Sequence, residues 1–135
     1  IYELLEGRVP LLLHTGDKRF DYSNPNRLIP VLEIYKNLTV IGAHFGGYSI
    51  WEEAAQQLAG FPNLYVDCSS TMFALDDEVV VRLIRLYGAE RVLFGTDYPM
   101  WSPAAEVEHF MRLELTGEER ELILHRNAER LFGLA

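Results

Sequence analysis

Residues 92–99, VLFGTDYP, run from a continuous apolar segment directly into a carboxylate, Asp97, with Pro99 two residues further on. Gly, Asp and Pro are ordinary turn residues, so a surface turn is one interpretation of this stretch. Two other stretches place a histidine where this one has the acid: PLLLHTGD (residues 10–17) and TVIGAHFGG (residues 39–47). Polar residues repeated at the ends of apolar segments indicate strand ends that share a site.

The secondary-structure pattern alternates between strand and helix. Four short, nearly continuous apolar segments are typical of parallel strands buried on both faces: residues 9–14, 38–44, 64–69 and 91–97. Helix starts are predicted at Asn24-Pro25, at capping boxes formed by Ser49 with Glu52 and Thr116 with Glu119, before residues 75–88, and at Ser102-Pro103. This alternation predicts a parallel α/β sheet.

Length and composition restrict the class of protein. The 135 residues predict one domain, and a net charge of −8 with 12 scattered Lys and Arg residues argues against a nucleic-acid or anionic membrane surface. The single Cys68 cannot form an internal disulfide, which favours a reducing compartment and a cytoplasmic location. No nearby sequence feature would activate Cys68 as a nucleophile. Because the chain begins at Ile1 within a helix-end pattern, we expect it to belong to something longer.

The polar strand-end residues recur at a structural period. His14, His44, Asp67 and Asp97 are separated by 30, 23 and 30 residues, each about one strand, one helix and two loops. Loops after the carboxyl ends of parallel strands carry the ligand site in α/β folds. A (β/α)8 barrel uses about 250 residues. The chain is therefore expected to form about four units, as half a barrel or as a small open sheet.

The motifs LLLHTG, VIGAHFGG and VLFGTDYP, followed by the closing NAERLFGL, resemble in this order the second half of the amidohydrolase-related (amidohydrolase 2) family of metal-dependent TIM-barrel hydrolases. This family includes zinc decarboxylases that act on unsaturated or aromatic carboxylates. The resemblance covers essentially the whole chain. It implies a (β/α)8 TIM-barrel fold, with His14 at the end of barrel strand five, His44 at strand six and Asp97 at strand eight.

The same resemblance implies the roles of these residues. His14 would bind a divalent metal, expected to be zinc, and Asp97 would bind it or handle the proton of its water. His44 would act as an acid and base or orient the substrate. Other strand-end and rim residues are predicted substrate contacts: Asp17, Gly46, Gly47, Ser69, Tyr98 and Trp101. A tight turn would also account for the two glycines, and helix capping would account for Ser69.

One departure from the family pattern concerns the metal. The His-x-His pair expected on the first barrel strand is absent, because the four histidines lie far apart at positions 14, 44, 109 and 125. We therefore expect the isolated chain neither to hold metal tightly nor to catalyse. Either the N-terminal half of the barrel precedes this segment in a longer enzyme, or the open sheet edges pair with another chain, for example in a homo-oligomer.

Three functions follow as predictions. The first is a metal-dependent hydrolase of a small organic or cyclic carbonyl compound. The second is a zinc-dependent decarboxylase of an unsaturated or aromatic carboxylate. The third is a noncatalytic half-barrel that serves only in binding or assembly. The predicted partner of either enzyme is a small-molecule substrate, with no nucleic acid and no membrane.

Overall fold

Four parallel strands form a sheet in the order in which they occur along the chain, and the computed structural model describes residues 1–134. The register pairs Leu11 with Val40, Val40 with Leu64, and Val66 with Val92. Because every neighbouring pair is parallel, all four strands end at the same edge of the sheet. The strands are β1 (Leu11–Leu13), β2 (Val40–Gly42), β3 (Leu64–Asp67) and β4 (Val92–Leu93).

Helices connect consecutive strands, which confirms the predicted parallel α/β fold. None of them, within residues 1–134, is long and apolar enough to cross a membrane. The helical elements are α1 (Tyr2–Leu5), α2 (Pro25–Ile34), α3 (Trp51–Leu58), α4 (Asp77–Tyr87), a 3-10 turn (Ala89–Arg91), α5 (Pro103–Arg112), α6 (Gly117–Glu121), a π-helical segment (Leu122–Arg126) and α7 (Asn127–Phe132).

The strands are shorter than their apolar segments predict. β2 and β4 contain 3 and 2 residues, against the predicted ranges 38–44 and 91–97. Beyond β2, His44 has a φ of 57°, and this left-handed conformation turns the chain out of the sheet. Beyond β4, the N–H of Phe94 donates to the carbonyl of Ile123 in the π-helical segment at 2.9 Å, so the chain leaves the ladder there. His14, His44 and Asp97 therefore lie on loops beyond the strands, whereas Asp67 is the last residue of β3.

The hydrophobic core lies between the sheet and its helices. Val40, Val66 and Val92 of the strands are fully buried. They cluster with apolar residues of α2 to α5, which include Leu32, Leu58, Ile84 and Phe110. Full burial of a side chain of this kind contributes about 1.5–3 kcal/mol. Leu12 points away from this core, on the other face of β1, and is 60% exposed. At this position the sheet is therefore covered by helices on one face and uncovered on the other.

Two of the three predicted side-chain caps are confirmed. Asn24 accepts a hydrogen bond from the backbone N–H of Asn26 at the start of α2. Thr116 and Glu119 form the complete capping box at the start of α6. Such caps satisfy backbone N–H groups that have no partner within the helix.

The capping box predicted for Ser49 and Glu52 is wrong. Helix α3 begins at Trp51, and the residue before it makes no side-chain cap. Ser49 has a φ of 62°, and its hydroxyl oxygen accepts the backbone N–H of Lys18 at 2.8 Å. A donor from the loop after β1 thus replaces the helix as the partner of Ser49.

Glu106, in the first turn of α5, is a buried carboxyl that offers a test of stability. Burial raises its pKa, and nearby His109 opposes the shift. The contribution of the Glu106 carboxyl to the stability of the folded state is fully present while this group is protonated. This contribution is lost as the pH rises from about 4.3, the pKa of the carboxyl in the unfolded chain, through its raised pKa in the folded protein. We expect Glu106→Gln to raise the melting temperature at pH 7, with a gain that shrinks below about pH 4.

Thermal unfolding across this pH range checks the expectation. Glu108→Gln is the matched control, because Glu108 lies on the same helix with its side chain 79% exposed. A gain for Glu106→Gln that is equally large at acid pH would contradict the burial explanation.

Candidate functional site at the carboxyl ends of the strands

The loops after β1 and β2 are bonded together, and this brings two predicted site residues side by side. Tyr48 N–H donates to the carbonyl of Thr15 at 2.7 Å, and the Thr15 hydroxyl donates to the carbonyl of Ala43 at 3.0 Å. The rings of His14 and His44, which lie within these loops, have centroids 5.0 Å apart. The Tyr48 ring lies 6.1 Å and 5.6 Å from them, respectively.

His44 is buried, and Ser69 on the loop after β3 holds its ring in one orientation. Its Nδ1 lies 3.1 Å from the carbonyl oxygen and 2.9 Å from the hydroxyl oxygen of Ser69. Because a carbonyl can only accept, the neutral tautomer that fits carries its proton on Nδ1 and leaves the Nε2 lone pair free. The Ser69 hydroxyl in turn donates to Asp67 Oδ1 at 2.6 Å.

Asp67 connects this set to the backbone. Its Oδ1 also accepts the N–H groups of His44, at 3.1 Å, and Ser69, at 3.0 Å. The carboxylate therefore fixes both the loop that carries His44 and the serine that orients its ring. This arrangement can keep one imidazole nitrogen available for proton transfer or for a metal.

Asp97 lies beyond β4 in a second hydrogen-bonded set. The Ser70 hydroxyl donates to its Oδ2 at 2.6 Å, and the Trp101 indole N–H donates to Ser70 Oγ at 2.8 Å. Within residues 1–134, Asp97 and His14 make no hydrogen bond to each other, and both are exposed. The two sets meet through the adjacent residues Ser69 and Ser70.

Several residues of the two hydrogen-bonded sets, together with Phe45 next to His44, have a left-handed backbone conformation. His44, Phe45, Ser70 and Asp97 have φ angles of 57°, 51°, 49° and 56°. Non-glycine residues in this left-handed region are uncommon, and they concentrate at functional sites. All four lie just beyond the carboxyl ends of β2, β3 and β4, where the site is predicted.

A groove of about 490 Å³ is lined in part by Asp17 and by Tyr48, whose ring neighbours both histidines, although neither histidine lines the groove itself. Aromatic and cationic residues of three strand-end loops line it, among them Lys18, Arg19, Tyr48, Trp51 and Phe73. A larger groove, of about 550 Å³, is lined by α4, α5 and Glu114 and contains no strand-end residue. The smaller groove is therefore the one that adjoins the predicted chemistry.

Three of the predicted substrate contacts lie in distinct settings. Asp17 lines the groove, but Arg19 binds both its carboxylate oxygens, at 3.0 Å and 2.8 Å, and lowers its pKa to about 2. Trp101 is half-buried and stacks on Phe73 with ring centroids 4.6 Å apart. Tyr98 is 75% exposed.

Gly46 and Gly47 are buried, and core packing accounts for both. A Cβ at Gly46, whose φ is 72°, would lie 3.0 Å from Leu58 Cδ1 and from the Tyr87 hydroxyl. A Cβ at Gly47 would lie 2.4 Å from Ala54 Cβ on α3. The lack of a side chain at these glycines lets the loop after β2 pack closely against α3.

Gly47→Ala is therefore expected to destabilise the protein by about 1–3 kcal/mol, the usual range for overpacking a filled core. Gly60→Ala is the matched control, since nothing lies within 4 Å of a Cβ there. Denaturant unfolding of both variants measures the effect. Equal midpoints for the two variants would show that the β2 loop moves freely away from α3.

The metal-ligating capacity of the chain is limited. Within residues 1–134, no group of three or more His, Cys, Asp and Glu side chains could hold a metal ion. Cys68 is fully buried, and burial raises its pKa to about 12, which agrees with its exclusion as a nucleophile. His14 and Asp97 are donors of the right chemistry, but by themselves they do not fit a complete metal centre.

The contacts of several site residues were not predicted, because they depend on distant partners. Ser70 hydrogen-bonds residues 27 and 31 positions away. Tyr48 and Phe73 have no motif of their own. Asp67 did carry a signal, since it belongs to the strand-end series with His14, His44 and Asp97, but its bond to Ser69 was not readable from spacing.

A parallel sheet with polar residues from all four strand ends at one edge is the arrangement of α/β proteins that bind ligands at the carboxyl ends of their strands. A model of the amidohydrolase family (amidohydrolase 2) matches residues 1–134. The chain belongs to this family, and the predicted fold of about four units of a (β/α)8 barrel is confirmed. No protein of curated function matches it by sequence.

Solved structures support the same fold. An uncharacterised TIM-barrel protein from Bordetella bronchiseptica is 30% identical with a TM-score of 0.85, over 98% of this chain and 48% of that one. A Pseudomonas putida protein provisionally named a 2-pyrone-4,6-dicarboxylic acid hydrolase is 24% identical with a TM-score of 0.66, over 93% and 51%. A dihydroxybenzoic acid decarboxylase from Polaromonas sp. JS666, with bound manganese and the inhibitor 2-nitroresorcinol, is 22% identical with a TM-score of 0.61, over 77% and 36%. The chain thus spans about half the length of the first two structures and about a third of the last.

Proposed function

We propose that this chain forms the C-terminal half of a metal-dependent hydrolase acting on a small organic or cyclic carbonyl compound. Residues 1–135 would be a single domain segment, and the other half of the barrel would complete the site. The observation that carries the proposal is the fixed orientation of His44, whose Nδ1 contacts Ser69 while Nε2 makes no hydrogen bond within residues 1–134. An imidazole held in one tautomer is suited to moving a proton to or from a reacting group.

The residues at the carboxyl ends of the strands would have different roles in the reaction. His44 would accept or deliver a proton at Nε2, and Ser69 with Asp67 would keep the ring oriented. Asp97 would present Oδ1, because the Ser70 hydroxyl occupies Oδ2. The half-buried ring of Tyr48, close to both histidines, would exclude water from one side.

A divalent ion, zinc or manganese, would be held by His14 and Asp97 together with ligands from outside residues 1–134. When bound, such an ion supplies Lewis acidity, which polarises a carbonyl group or lowers the pKa of water. Imidazole and carboxylate donors suit both metals. The manganese of the Polaromonas decarboxylase supports a divalent metal in this family.

The groove favours decarboxylation of an aromatic or unsaturated carboxylate as a second candidate. Tyr48 and Phe73 line it with aromatic rings, and Trp101 extends the wall by stacking on Phe73. Lys18 and Arg19 add positive charge, although Asp17 already pairs with Arg19. A planar, negatively charged ring matches such a surface, since aromatic faces stack and cations attract carboxylates.

The first test measures metal in the longest natural form of the protein, expressed with excess manganese or zinc. About one ion per chain is expected for the parent, with loss of that ion in His14→Ala and Asp97→Ala. His125→Ala is the control, because this histidine is half-exposed in the π-helical segment and hydrogen-bonds Glu129 four residues on. An unchanged metal content in His14→Ala and Asp97→Ala would contradict the proposed ligands, and the absence of stoichiometric metal from the parent would favour the noncatalytic half-barrel.

Product analysis then separates the two reactions. The metal-loaded protein is incubated with a panel of cyclic lactones and amides and a panel of hydroxylated benzoates. Ring opening without carbon dioxide supports the hydrolase, whereas carbon dioxide release supports the decarboxylase. The location of the protein, proposed to be cytoplasmic, can be checked by cell fractionation.

A further inference from the structure

Trp101, Ser70 and Asp97 form a hydrogen-bonded chain whose direction is fixed by the groups themselves. The Trp101 indole N–H can only donate, so Ser70 Oγ accepts it at 2.8 Å. The serine has one hydroxyl proton, and this proton points to Asp97 Oδ2 at 2.6 Å. The indole therefore determines which way the serine hydroxyl points.

The surroundings hold each member of the chain in place. Ser70 is 4% exposed, and its φ of 49° sets the hydroxyl at the end of β3. Trp101 stacks on Phe73 at 4.6 Å with an interplanar angle of 21°. Asp97, by contrast, is exposed and lies on the loop after β4. The buried serine is thus the fixed point to which an exposed carboxylate is hydrogen-bonded.

We propose that Ser70 and Trp101 are positioning residues for Asp97: they hold Oδ2 so that Oδ1 faces the reacting centre. The inference rests on the proposed role of Asp97 in metal binding or proton handling. Neither Ser70 nor Trp101 touches the reacting atoms in this role. Ser70 acts directly on the carboxylate, and Trp101 acts only through Ser70.

Removing the serine hydroxyl should lower kcat with little change in KM. Groups that orient a metal-linked side chain typically change activity or metal affinity by about 10–100-fold. Two variants separate function from stability. Ser70→Gly relieves the left-handed backbone and Ser70→Ala retains it, but both lack the hydroxyl. Both are expected to lose kcat to the same extent.

The role of Trp101 is tested by combining its substitution with that of Ser70 in a double variant. Trp101→Phe keeps a ring on Phe73 but lacks the N–H, and we expect a smaller loss of kcat than for Ser70→Gly. The double variant should be no worse than Ser70→Gly alone, because Trp101 has nothing to orient once the hydroxyl is gone. Losses that multiply in the double variant would overturn the proposal that Trp101 acts through Ser70.

A spectroscopic measurement is independent of activity. The indole N–H resonance of Trp101, identified by its absence in Trp101→Phe, should move in Ser70→Gly and stay in place in Asp17→Asn. An unmoved resonance would overturn the hydrogen-bonded chain itself. If the resonance moves and Asp97→Asn leaves kcat and metal content unchanged, the proposed function of Asp97 fails while the chain stands. If Asp97→Asn is inactive but Ser70→Gly retains kcat, only the positioning role fails.

Discussion

His44→Asn is expected to lower kcat by about 10²–10⁴-fold, the usual contribution of general acid and base catalysis. The structural reason is the free Nε2 of an imidazole whose Nδ1 is held by Ser69. Asparagine tolerates the left-handed backbone at this position, where φ is 57°, so the loop should keep its shape. The loss then reports proton transfer rather than misfolding.

Steady-state kinetics with the substrate identified by product analysis provide the measurement. His125→Asn is the control, since this half-exposed histidine lies outside the strand-end loops and contacts Glu129. A kcat within about threefold of the parent for His44→Asn would remove His44 from the chemistry, because acid and base catalysis contributes at least about 10²-fold. Far-ultraviolet circular dichroism confirms that both variants are folded.

Phe45→Ala is expected to destabilise the protein by about 3–5 kcal/mol, the cost of removing a fully buried phenylalanine. Phe45 is 0% exposed and stacks on Tyr87 with ring centroids 6.2 Å apart. Its N–H donates to the carbonyl of Asp67 at 2.7 Å, and its carbonyl accepts the Tyr87 hydroxyl at 2.8 Å. A loss of this size is a large part of the stability of an ordinary domain, about 5–15 kcal/mol.

Urea unfolding measures the free energy of unfolding of this variant. Phe20→Ala is the matched control, because Phe20 is 52% exposed and should change stability by less than about 1 kcal/mol. Equal unfolding midpoints for the two variants would contradict the anchoring role of Phe45. Because Phe45 follows His44 directly, its removal should also reduce activity at temperatures where the fold persists.

Much of the fold was predictable, because it depends on local patterns. Four apolar segments separated by helical patterns specify a parallel sheet with polar residues at one edge. The strand lengths were not predictable, because they depend on the left-handed backbone at His44 and on the bond from the Phe94 N–H to the distant carbonyl of Ile123. The capping prediction at Ser49 failed for a related reason, since Lys18, 31 residues away, supplies its partner.

The candidate site was predictable in position but not in its contacts. Spacing placed His14, His44 and Asp97 at one edge, because parallel strands end together. It could not show that Ser69 selects the tautomer of His44 or that Ser70 takes one oxygen of Asp97. These contacts depend on side-chain orientation between loops far apart in sequence. Nor could the sequence show that Gly46 and Gly47 are required by close packing against Leu58 and Ala54.

The left-handed backbone beyond the strands also sets the proposed chemistry against the stability of the fold. His44, Ser70 and Asp97 each adopt a conformation that costs an ordinary residue about 1–2 kcal/mol and glycine almost nothing. Glycine at any of these positions would relieve that cost and would also remove the imidazole, the hydroxyl or the carboxylate. The proposed site would therefore be held at a cost in stability, the trade-off known from strained functional sites.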